Sequence, residues 1–270
     1  MIELLRPGAH ARNARVVLFD FDGTISLIRA GWMDVMVPMM VEILLDLKSG
    51  ETEAELREVV EEFVGRLTGK QTMYQMIELA GNVKLRGGTP LDPLEYKNMY
   101  LEKLHAKIRY RLEELEAGAA SPEKYLVPGA RELLEALSAR GLKMYLASGT
   151  DQIYMRKEAR LLDVDRYFTG GVFGALDDYK SFSKKILIQQ VIAKAECRGA
   201  EFLGFGDGYV EIENVKEVGG TAVGVATNEP ECAVVDEWKR ERLAGVGADF
   251  IIPNFLCHQE LLHTLFHNGQ

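Results

Sequence analysis

Two aspartates separated by one residue carry the clearest chemical signal in this sequence. Asp20 and Asp22 lie within residues 19–24, directly after the apolar residues 16–19. Their carboxylates can point to one side of the chain, where they repel each other unless a cation compensates them. Mg²⁺ accepts a few carboxylate oxygens together with waters and substrate oxygens. The pair therefore indicates a metal-assisted site, or else a simple capped turn before Gly23.

Two more segments carry polar groups just after an apolar run. Ser148 and Gly149 follow residues 144–147, so the serine hydroxyl and nearby backbone N–H groups could hold phosphate oxygens. An ordinary helix N-cap would also explain the serine. Asp207 follows residues 202–205 and could supply a further carboxylate to the same ion. Each of these segments is weak evidence alone.

Three nearby lysines are candidates for stabilising charge on a phosphoryl group. Lys180 lies in a loop before a helix that we expect to begin near Ser183. A lysine there can stabilise charge on a transferring phosphoryl group, or it can simply lie in solvent. Lys184 and Lys185 fall in the first turn of the same helix. We expect these two to be surface residues, which leaves Lys180 as the candidate.

The elements that position these residues alternate along the chain. Short apolar runs predict strands buried on both faces of a parallel sheet, and amphipathic stretches between them predict helices. The predicted strands are residues 16–19, 144–147, 202–205, 222–226 and 250–252, and the predicted helices are 130–140, 152–162, 183–196, 210–218 and 231–242. This order favours a doubly wound α/β sheet, in which ligands collect at the carboxyl ends of the strands.

The stretch between the first strand and residue 126 follows a helical pattern throughout. Apolar residues keep helical spacing in residues 32–47 and 56–67, and further helices are predicted at 71–80 and 93–116. We therefore expect an inserted all-helical cap domain at residues 25–126. Residues 1–24 and 127–270 would form the catalytic core.

In this order, the segments resemble the motifs of the haloacid dehalogenase-like hydrolase superfamily over nearly the whole chain. Asp20 and Asp22 match the first motif, Ser148 the second, Lys180 the third and residues 206–214 the fourth. The resemblance implies a Rossmann-like core. For an insertion at this position it also implies a helical cap, as in phosphoglycolate phosphatase-like and β-phosphoglucomutase-like members.

The resemblance implies a Mg²⁺-dependent phosphatase that acts on a small phosphomonoester, either a sugar phosphate or a phosphoglycolate-like acid. Asp20 would attack phosphorus to give an aspartyl-phosphate, and Asp22 would act as general acid and then general base. Asp20, Asp207 and the backbone carbonyl of Asp22 would hold Mg²⁺. Ser148, Gly149 and Lys180 would orient the phosphoryl oxygens.

Two departures from the family pattern and two alternative functions remain open. Residues 180–183 read Lys-Ser-Phe-Ser where the family often has Lys-Pro-x-Pro, and Glu211 stands where aspartate is usual. Glu211 could contact the metal, one of its waters or only neighbouring groups. A phosphosugar mutase would use the same core while protecting the intermediate from water. A catalytically silent metabolite-binding module would not need the acid/base carboxylate.

Substrate selection should come mainly from the cap side of the site. Arg29, Lys70, Gln71 and Thr72 are candidates, because Arg29 follows the first motif closely and Lys70 lies in a loop between predicted cap helices. For each basic residue alone, a solvated surface side chain is the simpler explanation.

Composition limits the possible partners. The chain has 270 residues, of which 47% are hydrophobic, and a net charge of −9. An acidic chain lacks the broad basic surface that nucleic acids and anionic membranes require, so we expect a small phosphorylated metabolite as partner. The odd number of widely spaced cysteines suits a reducing compartment, and we expect a cytoplasmic location. The oligomeric state is left open; the cysteines are Cys197, Cys232 and Cys257.

Overall fold

A seven-stranded sheet forms the centre of the molecule. The computed structural model describes residues 2–176, 183–195 and 197–267. The strands run in the order β1-β7-β6-β5-β2-β3-β4, and all neighbours are parallel except the antiparallel pair β1 and β7. Their bounds are β1 Glu3–Leu4, β2 Val16–Phe19, β3 Lys143–Asp151, β4 Gly171–Ala175, β5 Phe202–Gly206, β6 Thr221–Val225 and β7 Phe250–Ile252.

The register of the central strands brings the candidate residues to one edge of the sheet. Phe19, the last residue of β2, is level with Leu146 of β3 and Phe205 of β5. Every residue of β2, β5 and β6 is buried, as continuous apolar runs in a parallel sheet require. The segments that follow β2 and β5 and the end of β3 are therefore adjacent in space.

Helices cover both faces of the sheet, and the predicted α/β architecture is confirmed. The helices that alternate with the strands are α5 Ala130–Ala139, α6 Gln152–Leu161, α7 Lys184–Ala195, α8 Tyr209–Glu217, α9 Glu237–Gly245 and α10 His258–His267. The two faces carry separate apolar clusters, one around Phe19 and Phe205 and the other around Leu18 and Phe202.

Four helices inserted between β2 and β3 form a bundle of their own: α1 Met33–Leu45, α2 Glu53–Leu67, α3 Thr72–Leu85 and α4 Pro93–Glu116. Thr52 begins α2 with a reciprocal capping box to Glu55. Asp92 caps α4, with Pro93 at its first position. We call α1–α4 the helical bundle. The predicted division into residues 1–24, 25–126 and 127–270 stays a prediction.

Some elements differ from those predicted. Strands β1 and β4 were not predicted, because β1 is two residues long and β4 contains two glycines. Helix α9 begins at Glu237 rather than residue 231, because the side chain of Asp236 caps the helix at that point. Helix α3 extends to Leu85, five residues beyond the expected end. No helix in the described part of the chain is both long and apolar enough to cross a lipid bilayer.

Candidate active site

The turn after β2 fixes Asp20 and Asp22 at the carboxyl edge of the sheet. The backbone N–H of Asp20 donates to the carbonyl of Phe205 at 2.9 Å, which ties the turn to β5. Gly23 has φ of +73°, and a Cβ there would lie 2.3 Å from Asp207 Oδ2. Only glycine allows both this conformation and this close approach. The sequence thus brings Asp207 against the first motif, as predicted.

Lys184 is the main correction to the sequence analysis. Its Nζ donates to Asp20 Oδ1 at 2.8 Å and also forms an ion pair with Glu211. The Lys184 side chain is 5% exposed, so the expected surface position is wrong. It lies in the first turn of α7 as predicted, but that turn faces the core beneath Asp20. Glu211 is buried against this lysine.

The predictions for the other two candidate lysines, Lys185 and Lys180, have different results. Lys185 points outward and pairs with Glu217 at 2.6 Å, with more than half of its side chain exposed, as expected. Lys180 lies outside the described residues, so its candidacy stays a prediction.

Asp22 is held by two hydroxyl groups rather than by a lysine. Ser148 Oγ and Thr150 Oγ1 each donate to Asp22 Oδ2 at 2.9 Å. The backbone N–H of Thr150 in turn donates to Ser148 Oγ at 2.9 Å, so the serine accepts one bond and donates another. Asp22 Oδ1 is buried without a hydrogen-bond partner within the described residues. The charged group beside this oxygen is the guanidinium of Arg29, whose Nε lies 3.9 Å away.

A second lysine, Lys239, which is largely but not fully buried, lies against Asp207. Lys239 Nζ donates to Asp207 Oδ2 at 2.9 Å and to Glu229 Oε1 at 2.8 Å. The backbone N–H of Asp207 donates to Thr24 Oγ1 at 2.9 Å, which ties it to the first motif. The two carboxylates raise the pKa of Lys239 above its ordinary value despite burial, so this lysine remains charged.

Burial dominates the electrostatics of Asp20. Desolvation raises the pKa of its carboxyl to about 7, while the charge of Lys184 acts in the opposite direction and that of Asp207 raises it further. The buried acids and lysines therefore compensate one another only in part, and an added cation at the acidic edge would relieve the remaining repulsion.

The donor set is compatible with Mg²⁺. Within the described residues, no group of three or more Asp, Glu, His or Cys side chains is arranged as a metal site. Mg²⁺ commonly uses only one or two protein carboxylates and completes its shell with water and substrate oxygens. Asp20, Asp22 and Asp207 all line one cavity. These residues fit the ion by chemistry.

Arg29 lies inside the site and forms a buried ion pair with Glu158. Its guanidinium donates to both carboxylate oxygens of Glu158 in α6, with distances of 2.7 to 3.2 Å. Both side chains are almost fully buried. Arg29 Nε is also 3.9 Å from Asp22 Oδ1. Arg111 of α4 donates to three carbonyls of residues 27–30 and so fixes the backbone around Arg29.

The bundle closes over the core through its α2–α3 loop. A Cβ at Gly149 would lie 2.9 Å from the carbonyl oxygen of Lys70, so this glycine permits direct contact between the loop and β3. The side chain of Lys70 is exposed at the rim, Gln71 is buried and Thr72 lines the cavity. Of the predicted cap-side candidates, Arg29, Lys70 and Thr72 therefore reach the cavity.

The cavity has a volume of about 100 Å³. Its core side consists of the acidic residues, Lys184 and residues 148–151, and its bundle side carries mixed apolar and polar groups. A volume equal to several water molecules suits a small ligand. The bundle-side residues are Trp32, Met36, Gln75, Lys97, Tyr100 and Leu101.

Sequence reasoning missed several residues that the site uses. Thr150 follows Ser148 and Gly149 directly, and this proximity is the sequence signal that marks its hydroxyl. Glu158, Lys239 and Glu229 sit in helices or loops without a motif, and no pattern in the sequence marks them. Their roles follow only from the folded arrangement.

This chain belongs to the haloacid dehalogenase-like hydrolase family, whose model matches residues 14–219. No curated protein matches the sequence significantly. It is thus a hydrolase of this family, with the helical bundle inserted between β2 and β3.

Solved structures with this fold are similar over almost their full length. A predicted phosphoglycolate phosphatase from Haemophilus somnus is 15% identical, with a TM-score of 0.59 over 92% of this chain and 98% of the other. A haloacid dehalogenase-like hydrolase from Streptococcus pneumoniae is 16% identical, with a TM-score of 0.60 and the same coverage. A phosphonoacetaldehyde hydrolase-like protein from Oleispira antarctica is 14% identical, with a TM-score of 0.61 and 98% coverage of both chains. At these identities, the similarity concerns the fold.

Proposed function

We propose that this hydrolase is a Mg²⁺-dependent phosphatase that hydrolyses a small phosphomonoester through an aspartyl-phosphate at Asp20. The supporting observation is the different setting of two neighbouring carboxylates. Lys184 can only donate, so it favours Asp20 as an ionised acceptor. The hydroxyls on Asp22 can either donate or accept, so they accommodate Asp22 with or without a proton.

This difference matches the two roles that the reaction needs. Asp20 attacks phosphorus, and Asp22 donates a proton to the leaving oxygen. Asp22 then takes a proton from the water that opens the aspartyl-phosphate. Ser148 and Thr150 keep the Asp22 carboxyl oriented between these steps. One carboxylate serves as nucleophile and its neighbour as acid and base, because their hydrogen-bond partners differ.

Mg²⁺ would be held by the carboxylates of Asp20 and Asp207 and the backbone carbonyl of Asp22. When bound, it supplies positive charge that offsets repulsion between Asp20 and the phosphoryl group. Lys184 adds a fixed positive charge on the nucleophile. We propose this role for Lys184, with Lys180 as a second phosphate-binding lysine. Residues 25–126 would then act as the cap that excludes water.

The test is hydrolysis of p-nitrophenyl phosphate by purified variants in the presence of Mg²⁺. Asp20→Asn should abolish turnover, whereas Asp34→Asn, at an exposed aspartate on α1, should leave it unchanged. Wild-type turnover by Asp20→Asn would refute the nucleophile assignment.

Substitutions of Lys184 and of its neighbour Lys185 test the role assigned to Lys184. Lys184→Met should lower kcat by about a hundredfold or more, because it removes a charged donor from the buried nucleophile. Lys185→Met removes the neighbouring surface lysine and should leave kcat unchanged. Equal effects of the two substitutions would contradict a role for Lys184. Circular dichroism on both variants separates loss of fold from loss of chemistry.

A further inference from the structure

The wall of the cavity also carries an ion pair between a buried lysine and a partly buried aspartate. Lys97 of α4 donates to Asp151 Oδ1 at 2.5 Å, joining the helical bundle to the end of β3. Lys97 is 5% exposed, and both residues line the same cavity as Asp20 and Asp22. Asp151 follows directly after Thr150, one of the two hydroxyl donors to Asp22. The pair thus lies beside the proposed reaction centre.

The carboxylate of Asp151 does not cap helix α6, although the residue stands at the N-cap position. Asp151 is the N-cap of α6, where an aspartate side chain usually accepts a backbone N–H from the first helical turn. Here it makes no such bond and accepts from Lys97 instead. An oriented donor and an oriented acceptor therefore stand together on the cavity wall.

The remaining cations of the described cavity wall are already paired with carboxylates, except for one at the rim. Glu158 binds Arg29 through both oxygens, and Asp20 and Glu211 bind Lys184. Lys70 is exposed at the rim, where solvent screens its charge. A second anionic group on a substrate would therefore meet Asp151 without a buried unpaired cation to balance it.

We propose that Lys97 and Asp151 form the subsite for a neutral, hydroxyl-bearing leaving group, so that the substrate is a polyol or sugar phosphate rather than a phosphorylated carboxylic acid. This inference rests on the proposed phosphatase function. A hydroxyl both donates and accepts, so it can bond to Asp151 and Lys97 at once. A carboxylate only accepts, so it would have to compete with Asp151 for Lys97, and the two carboxylates would repel each other.

Three small phosphomonoesters of similar size distinguish a subsite for a hydroxyl group from a subsite for a carboxylate. 2-Hydroxyethyl phosphate ends in a hydroxyl, phosphoglycolate ends in a carboxylate, and ethyl phosphate ends in neither. Wild-type protein with Mg²⁺ should show the highest kcat/KM for 2-hydroxyethyl phosphate, about tenfold above ethyl phosphate, because one hydrogen bond to a charged group gives discrimination of that order. Phosphoglycolate should be the poorest of the three.

Substitutions in the pair then reverse or remove the preference. Asp151→Asn removes the repelling charge and frees Lys97, so phosphoglycolate should gain about tenfold relative to 2-hydroxyethyl phosphate. Lys97→Met should reduce 2-hydroxyethyl phosphate to the level of ethyl phosphate. Lys107→Met serves as the matched control, because Lys107 pairs with Asp34 on the outside of α4 and α1.

The outcomes separate the subsite from the reaction. A preference for phosphoglycolate in wild-type protein, or unchanged ratios in Asp151→Asn, would overturn the subsite while leaving the phosphatase proposal intact. Absence of turnover with all three compounds and with p-nitrophenyl phosphate would refute the phosphatase proposal itself, and with it the subsite. Because ratios between substrates are compared within one variant, a partly unfolded preparation does not alter the result.

Discussion

Replacing Gly149 with alanine would place a methyl group between β3 and the loop that joins α2 to α3. The added Cβ would lie 2.9 Å from the carbonyl oxygen of Lys70 and 3.3 Å from its carbonyl carbon. Ordinary contact at such a position begins at 3.4 Å. The loop must therefore retreat by about 0.5 Å, since the obstructing atoms belong to backbone and cannot rotate away.

A retreat of this size should lower activity without unfolding the protein. Misplacement by 1 Å in an active site can cost about a hundredfold in rate, so we expect about a tenfold loss of kcat/KM for p-nitrophenyl phosphate. Gly149 is not in the left-handed region, so alanine adds no backbone strain there. The free energy of unfolding in urea should change by less than about 1 kcal/mol.

Gly81→Ala provides the matched control, because a Cβ at this position in α3 meets no atom within 4 Å. It should keep full activity. If Gly149→Ala also kept full activity, the contact between the loop and β3 would not exist in the catalytic state, and the reasoning would fail.

The remaining predictions concern two other contacts of the site and its requirement for a metal ion. Thr150→Val removes one hydroxyl from Asp22 and should lower kcat about tenfold with little change in KM, as steady-state kinetics would show; an unchanged kcat would contradict the orienting role. Glu158→Gln leaves Arg29 buried without its carboxylate and should lower the free energy of unfolding by about 3–5 kcal/mol in urea titrations, whereas a loss below about 1 kcal/mol would mean that the pair is not buried in solution. EDTA should abolish turnover and added Mg²⁺ should restore it, and turnover that survives EDTA would exclude the metal requirement.

The alternation of buried strands and helices was predictable from the sequence. The residues that become buried in the fold are the same residues that form the continuous apolar runs and the helical spacing. The carboxyl edge was predictable as well, and it brought Asp20, Ser148 and Asp207 together as expected. Strand β4 was not, since Gly171 and Gly174 give a short run little strand character.

The lysines show where the sequence was insufficient. A first helical turn is usually exposed, and the sequence does not reveal that α7 begins next to Asp20, so the sequence predicts a surface position for Lys184 that the structure contradicts. The partners of Lys97 and Lys239 lie 54 and 32 residues away in the chain. Such pairings depend on how the helical bundle and α9 pack on the sheet, which no local pattern records.

The most direct test of the central claim is chemical trapping of the intermediate. Protein mixed with p-nitrophenyl phosphate and Mg²⁺ is quenched in acid and reduced with borohydride, which converts an acyl phosphate to an alcohol. Peptide mass spectrometry should then locate the reduced side chain at Asp20 and leave Asp22 unmodified. Reduction at Asp22, or turnover without any modification at Asp20, would contradict the account.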